Sequence, residues 1–266
     1  MKLAILGDAH LIANDDPYKH LHEHRAFFKN AWPSFQHLIK RVNAETPDLV
    51  VFLGDLVDWF SPQNITFGLD LLSQLKSPWL MTPGNHDLAA PSEGPEQREY
   101  ATSATRDHIA YWAQQGIDLS NRTFDIEGAT AVLVDNSLSD LADGTERFLD
   151  AAFAQSTPPF FFAHVPLDAP AMRAYILSVD ARRSMAKYVL SSAPNFYAQY
   201  IRNRVEHVFS AHLHFPGNLH IDRTRFHLST MSISMNDPHR SYSTIATARI
   251  VECKENALVF RDITSE

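Results

Sequence analysis

Seven residues of this 266-residue chain have the chemistry of metal ligands and stand where apolar runs end: Asp8, His10, Asp55, Asn85, His164, His212 and His214. They offer carboxylate, amide and imidazole groups and no thiolate. Such a set suits Mn, Fe, Zn or Ni better than Ca or Mg, which favour shells made of oxygen alone. It is too large for one tetrahedral site and points to two adjacent metals sharing a carboxylate. In Asp8-x-His10 and His212-x-His214 the spacing lets both side chains leave an extended backbone on the same side. A single Asp or His at a strand end is more often structural than ligating. The ordered set as a whole carries the reading. At its centre is Gly84-Asn85-His86-Asp87, read as a loop that follows the turn pair Pro83-Gly84.

The elements that must position these groups alternate. Leu3 to Leu6, Leu49 to Leu53 and Trp79 to Met81 read as buried strands. Helices over Trp32 to Ala44 and Ile65 to Leu75 lie between them, the first with Phe35, Leu38, Ile39 and Val42 at helical spacing. A βαβαβ start predicts a parallel sheet with right-handed crossovers, each strand discharging polar residues at its C-terminal end. Beyond a loop over 89–97, Arg98 to Gln115 and Thr145 to Ala154 read as helices. Thr123 to Ile126, Ala129 to Val134, Phe160 to Ala163 and Val208 to Ser210 read as strands. Arg173 to Arg204 reads as one or two helices. The tail is strand-rich: Asn218 to Asp222, Arg225 to Leu228, Thr244 to Val251 and Ala257 to Ile263. With ligand candidates spread from position 8 to position 214, one α/β domain over 1–266 is the expectation.

Composition narrows the partners. A net charge of −8 disfavours a protein that wraps nucleic acid, since such binding rests on Lys and Arg neutralising phosphates. One cysteine, Cys253, excludes an internal disulfide or a thiolate cage and reads as a small buried hydrophobe. The N-terminus reaches Asp8 too soon for a signal-peptide apolar region, and no apolar run approaches a membrane span. The expectation is a soluble, cytoplasmic protein, with a homo-oligomer left open.

Asp8-x-His10, Gly54-Asp55-x-x-Asp58, Gly84-Asn85-His86-Asp87, His164 and His212-x-His214 together resemble the ordered motif set of the calcineurin-like metallophosphoesterases. The resemblance spans residues 8–214. It implies a two-sheet β-sandwich flanked by helices. It also implies two transition-metal ions, Mn or Fe ahead of Zn and Ni. Asp8, His10, Asp55 and His214 would hold one metal; Asp55, Asn85, His164 and His212 would hold the other, with Asp55 bridging. Two metals about 3.5–4 Å apart lower the pKa of a bridging water toward about 7, giving a hydroxide that attacks phosphorus in line. His86 would contact the phosphate and protonate the leaving group, and Asp58 would orient His86. Two departures from the usual pattern leave every ligand in place. Ala211 stands where a Gly is usual, which strains the chain if that position needs a positive φ. Val165-Pro166 follows His164.

Within that family, Trp59 and Phe60 after Asp58, and Pro83-Gly84 before Asn85, differ from protein phosphatases. His86 differs from the Arg usual in lipid-precursor hydrolases. A small anionic phosphodiester of the cyclic-nucleotide or glycerophosphodiester type is therefore the expected substrate, with a phosphomonoester or a nucleotide or lipid pyrophosphate as the alternative. A metal-stabilised binding or scaffold protein is the reading from a different class, but such a protein has no need of His86 and Asp58. The segment 168–204 carries Arg173, Arg182, Arg183, Lys187, Arg202 and Arg204 against Asp168 and Asp180. It reads equally as a cap that attracts an anion or as a solvated helical face. His20, His22 and His24 read as a site mouth or, more simply, a solvent-facing helix start. Trp59 and Phe60 could stack on a substrate ring or pack in the core.

Overall fold

The computed structural model describes residues 1–20, 31–91, 99–155, 158–229, 234–235, 242–243, 245–254 and 257–266. His22, His24, Arg98, Thr244, residues 92–97 of the long loop and the side chain of Cys253 lie outside the described residues.

Strands β1 (Lys2–Leu6), β2 (Leu49–Phe52) and β3 (Trp79–Met81) run parallel, as the alternation requires. The C-terminal β12 (Thr247–Lys254) and β13 (Ala257–Thr264) complete this sheet by antiparallel pairing on the β1 side, giving the order β13-β12-β1-β2-β3. The second sheet holds β4 (Arg122–Ile126), β5 (Ala129–Val134), β6 (Phe160–Ala163), β7 (His207–Ser210), β8 (Gly217–Ile221) and β9 (Thr224–Leu228) in the order β4-β5-β6-β7-β9-β8. Within it, β5, β6, β7 and β9 are parallel. A two-residue pair, β10 (Ser234–Met235) with β11 (Tyr242–Ser243), stands apart and carries no sequence signal.

The apolar runs of the second sheet divide between two cores. Ala131, Leu133, Phe160, Phe162 and Phe209 face the first sheet, while Val132, Val134, Phe161, Ala163 and Val208 face the outer helices. This period-two division of unbroken apolar runs is what burial on both faces demands. Helix α1 (Ala31–Glu45) covers the first sheet with Phe35, Leu38, Ile39 and Val42, all fully buried. Helix α2 (Pro62–Leu72) starts three residues before the sequence expectation: Ser61 caps it through a bond from the Asn64 N–H, and Pro62 fills its first turn. Asn85–Leu88 is one helical turn, α3, rather than open loop. Then come α4 (Ser103–Gln114) and α5 (Thr145–Gln155). The stretch expected as one or two helices is three short pieces: α6 (Pro170–Val179), α7 (Met185–Tyr188) and a π turn at Tyr197–Ile201. No helix among the described residues is long and apolar enough to cross a membrane.

The two sheets meet at their C-terminal ends, where Thr82 Oγ1 after β3 donates to the Val134 carbonyl at the end of β5 (2.9 Å). Both groups of parallel strands therefore deliver their ends to one place.

Candidate metal centre

The first two ligand-bearing loops run side by side. The β1–β2 pairing continues past both strands through Asp8 N to Gly54 O (2.9 Å), His10 N to Asp55 O (3.0 Å) and Leu11 N to Leu56 O (2.9 Å). The third loop is pressed against the second. A Cβ on Gly84 would lie 2.1 Å from Asp55 Oδ1, and one on Gly54, at φ +82°, would lie 2.2 Å from Gly84 N. Only glycine permits that approach at either position. Asp87 then staples the two loops together. Its buried carboxylate accepts the backbone N–H groups of Asp55 (2.8 Å), Leu56 (2.9 Å), Val57 (3.2 Å) and Gly84 (2.8 Å). Sequence reasoning quoted Asp87 without assigning it. Its signal was an acid three residues after Gly84, the spacing of a helix-capping box.

These contacts gather the candidate ligands in two clusters, beside a third group of His10, Asp58 and His86. Asp8, His10, Asp55 and His214 each bring one ligand atom within 4.8 Å of the others, and so do Asp55, His164 and His212. Asp55 belongs to both. Its Oδ2 lies 3.5 Å from His10 Nε2 and 3.3 Å from His164 Nε2, while Oδ1 accepts the His86 backbone N–H (2.9 Å). Three of the four imidazoles are turned by a partner on their other nitrogen. His10 Nδ1 bonds Asp58 Oδ1 (2.9 Å), His164 Nδ1 bonds the Leu53 carbonyl (2.6 Å) and His212 Nε2 bonds the Lys187 carbonyl (2.9 Å). That leaves His10 Nε2, His164 Nε2 and His212 Nδ1 facing inward, the arrangement that orients metal-binding histidines. Asn85 Oδ1 is buried and has no hydrogen-bond partner among the described residues. An orphaned buried oxygen beside two such clusters fits a cation, which would satisfy it.

Asp8 (φ 50°), His10 (47°), Asp55 (53°), His212 (69°) and His214 (58°) all occupy the left-handed region. Each such residue costs about 1–3 kcal/mol, and such residues collect at functional sites. Ala211 is not among them. The strain foreseen for that alanine falls instead on the two histidines after it.

The electrostatics follow from burial and crowding. Burial pushes the Asp8 carboxyl up to about 8. On Asp55 burial also acts upward, but the imidazoles of His164, His86 and His10 outweigh it and hold the carboxyl well below its usual range. Burial acts downward on His164, yet the charge of Asp55 raises it to about 9. The pull on a proton there is the pull the two carboxylates would exert on a metal cation. His10 and His214 are lowered by burial, and so is His212, to about 3. Neutral imidazoles are the form that binds metals.

His86 sits beside both clusters, half-buried, its ring 4.7 Å from that of His10. Its Nδ1 bonds the backbone carbonyl of Asp58 (2.7 Å), and the Asp58 carboxylate is farther, at 3.6 Å. The expected orienting contact thus runs through the main chain, and the carboxylate goes to His10. Trp59 is buried, with its indole N–H on Asp16 Oδ1 (3.2 Å). Phe60 is stacked on His108 (3.6 Å between centroids). His20 is exposed. In segment 168–204, Arg173 pairs with Asp168, Arg182 and Arg183 pair with Asp180, and Arg202 pairs with Asp222.

Solved structures share this architecture. A dimetal phosphatase from Danio rerio superposes with a TM-score of 0.62 at 13% identity, over 99% of this chain and 98% of that one. A purple acid phosphatase from yellow lupin (Lupinus luteus) seeds matches with a TM-score of 0.58 at 14% identity, over 100% of this chain and 51% of that one. An anchor protein of the inner membrane complex of Plasmodium matches with a TM-score of 0.54 at 12% identity, over 100% and 85%. At these identities the likeness is one of fold. No curated protein matches the sequence. The family profile described as calcineurin-like phosphoesterase matches residues 1–216, which include every candidate ligand, and the chain belongs to that family.

Proposed function

We propose that the protein is a dimetal phosphodiesterase acting on a small anionic phosphodiester of the cyclic-nucleotide or glycerophosphodiester type. The observation that carries the dimetal reading is Asp55 Oδ2, poised between His10 Nε2 and His164 Nε2 and common to two ligand clusters. Asp8, His10, Asp55 and His214 would hold one metal, and Asp55, Asn85, His164 and His212 the other, of which Mn and Fe suit the donors best. When bound, the pair supplies an activated water at neutral pH and neutralises charge on the phosphoryl oxygens.

The chain's own groups supply the rest. The bond to the Asp58 carbonyl fixes a proton on His86 Nδ1. Nε2 is therefore the atom that gains a proton and gives it to the departing alkoxide, a contribution of about 10²–10⁴-fold. Asp58 holds His10 toward the metal through its carboxylate and His86 toward the substrate through its carbonyl. Charge favours a diester over a monoester. A diester carries one negative charge where a monoester carries up to two. In segment 168–204, Arg173 and Arg182 are already paired with Asp168 and Asp180 rather than held for a dianion.

The fold also serves a protein named as an anchor, so the chemistry needs its own test. Chelator-stripped protein is assayed with Mn²⁺ on bis(4-nitrophenyl) phosphate and on 4-nitrophenyl phosphate. The expected result is metal-dependent cleavage in which the diester outpaces the monoester. Monoester preference overturns the diester assignment. No turnover of either, with two Mn bound per chain, overturns the enzymatic one.

A further inference from the structure

The last two candidate ligands stand on a strained turn. Leu213 N bonds Ala211 O (2.8 Å), so the chain reverses over three residues with His212 at its centre at φ 69°. A three-residue turn with a positive central φ is the rare and strained form. His214 follows at φ 58°. Something outside the turn must hold it.

Three contacts do. The Asp8 carboxylate accepts the His212 N–H, with both oxygens at 3.1 Å. The Lys187 carbonyl accepts from His212 Nε2 (2.9 Å). The Arg183 guanidinium donates through Nη2 to the Leu213 carbonyl (3.1 Å). Asp8 is itself a proposed ligand, whereas the other two residues belong to the helical segment over the site. Arg183 is held stiffly for this contact. Its Nε lies 3.6 Å from Asp180 Oδ2, and its Cζ lies 4.2 Å from the centroid of the Tyr188 ring and 5.5 Å from that of Phe215. Tyr188 in turn packs on His212, with 5.3 Å between ring centroids.

We propose that Arg183 is a positioning residue: it fixes the Ala211–His214 turn in its ligating conformation and so makes the helical segment part of the metal site. Leu213 lies between a histidine of one cluster and a histidine of the other, so one guanidinium steadies both. The charge of Arg183 works against this role, because a guanidinium bonded to Leu213, between the two histidines, repels a metal cation there. Charge and positioning therefore predict opposite signs. Removing the charge alone tightens metal binding; releasing the turn weakens it.

The inference rests on the dimetal reading, and one experiment separates the two. Mn²⁺ is titrated by calorimetry into chelator-stripped wild type, Arg183→Met, Arg183→Lys and the neighbouring control Arg182→Met, with melting temperatures measured in chelator. Removing a group that orients a metal ligand costs about 10–100-fold in metal affinity. Arg183→Met is expected to lose about that much at one or both sites, Arg183→Lys to fall between, and Arg182→Met to match wild type. A role in stability alone lowers the melting temperature in chelator but leaves Mn²⁺ affinity unchanged, and overturns the proposal. So does an Arg183→Met protein that binds Mn²⁺ as tightly as wild type or more tightly. If Arg183→Met does not fold, unchanged affinity in Arg183→Lys overturns it equally. Wild type that binds fewer than two Mn²⁺ per chain refutes the dimetal reading instead.

Discussion

Asp87 offers the sharpest test of how this centre is built. Its carboxylate is fully buried and takes four backbone N–H groups from two loops. Asp87→Ala leaves all four donors buried without an acceptor. An orphaned buried donor costs about 1–3 kcal/mol. Even at the lower bound, the four bonds together are worth about 4 kcal/mol, a large part of the roughly 5–15 kcal/mol that holds an ordinary domain together. For a chain of this size each kcal/mol shifts the melting temperature by about 2–4 °C, so a fall of roughly 8–16 °C is expected. Asp87→Asn keeps the volume and one acceptor oxygen but turns an NH₂ group toward N–H donors, and falls between. The assay is thermal unfolding followed by circular dichroism in chelator, so that metal binding does not enter. A fall under about 3 °C for Asp87→Ala would mean that water or relaxation satisfies the freed groups, and the staple argument would be wrong.

Other perturbations test the remaining parts. His86→Ala is expected to keep two Mn²⁺ per chain by calorimetry and to lose about 10²–10⁴-fold in turnover; undiminished turnover removes His86 from the mechanism. Gly84→Ala places a methyl group 2.1 Å from Asp55 Oδ1. It should displace the Asp55 carboxylate and cost about 10²-fold or more in activity, while wild-type kinetics would show that the loops can part freely. Burial lowers His207 to about 4 and His227 to about 3, and the two rings bond each other at 3.0 Å between the sheets. Both values lie below the ordinary 6.5, so the unfolded chain binds more protons at acid pH. Stability is full above pH 6.5 and falls as pH drops toward the folded values. Urea unfolding of the stripped protein should show this slope, and His207→Phe/His227→Phe should flatten it; an unchanged slope places the acid sensitivity elsewhere.

Much of this molecule was legible in the order of its residues because both signals are local. Short unbroken apolar runs rich in β-formers, such as Leu49 to Leu53 and Phe160 to Ala163, suit strands buried on both faces. The spacing of Phe35, Leu38, Ile39 and Val42 can only serve a helix with one buried face. A polar residue just beyond such a run must stand at a sheet edge, which is why Asp8, Asp55, Asn85, His164 and His212 could be marked as one set before any distance was known. The helix at 62–72 was misplaced although Ser61-Pro62 announced it, and the π turn at 197–201 had no signal at all.

What only the tertiary structure decided concerns second partners. Sequence types His10, His86 and Asp58 correctly as polar, but which oxygen of Asp58 meets which imidazole depends on a carboxylate and a carbonyl of one residue lying between two loops. The strain sits at His212 and His214 rather than at Ala211, on a turn held by Asp8, Lys187 and Arg183, residues up to 204 positions away. Backbone groups such as the carbonyls of Leu53 and Lys187 leave no trace in the identity of the residue that bears them. A chain records which groups it carries; only the fold decides which of them come within hydrogen-bond reach, because that reach is about 3 Å and falls off steeply beyond it.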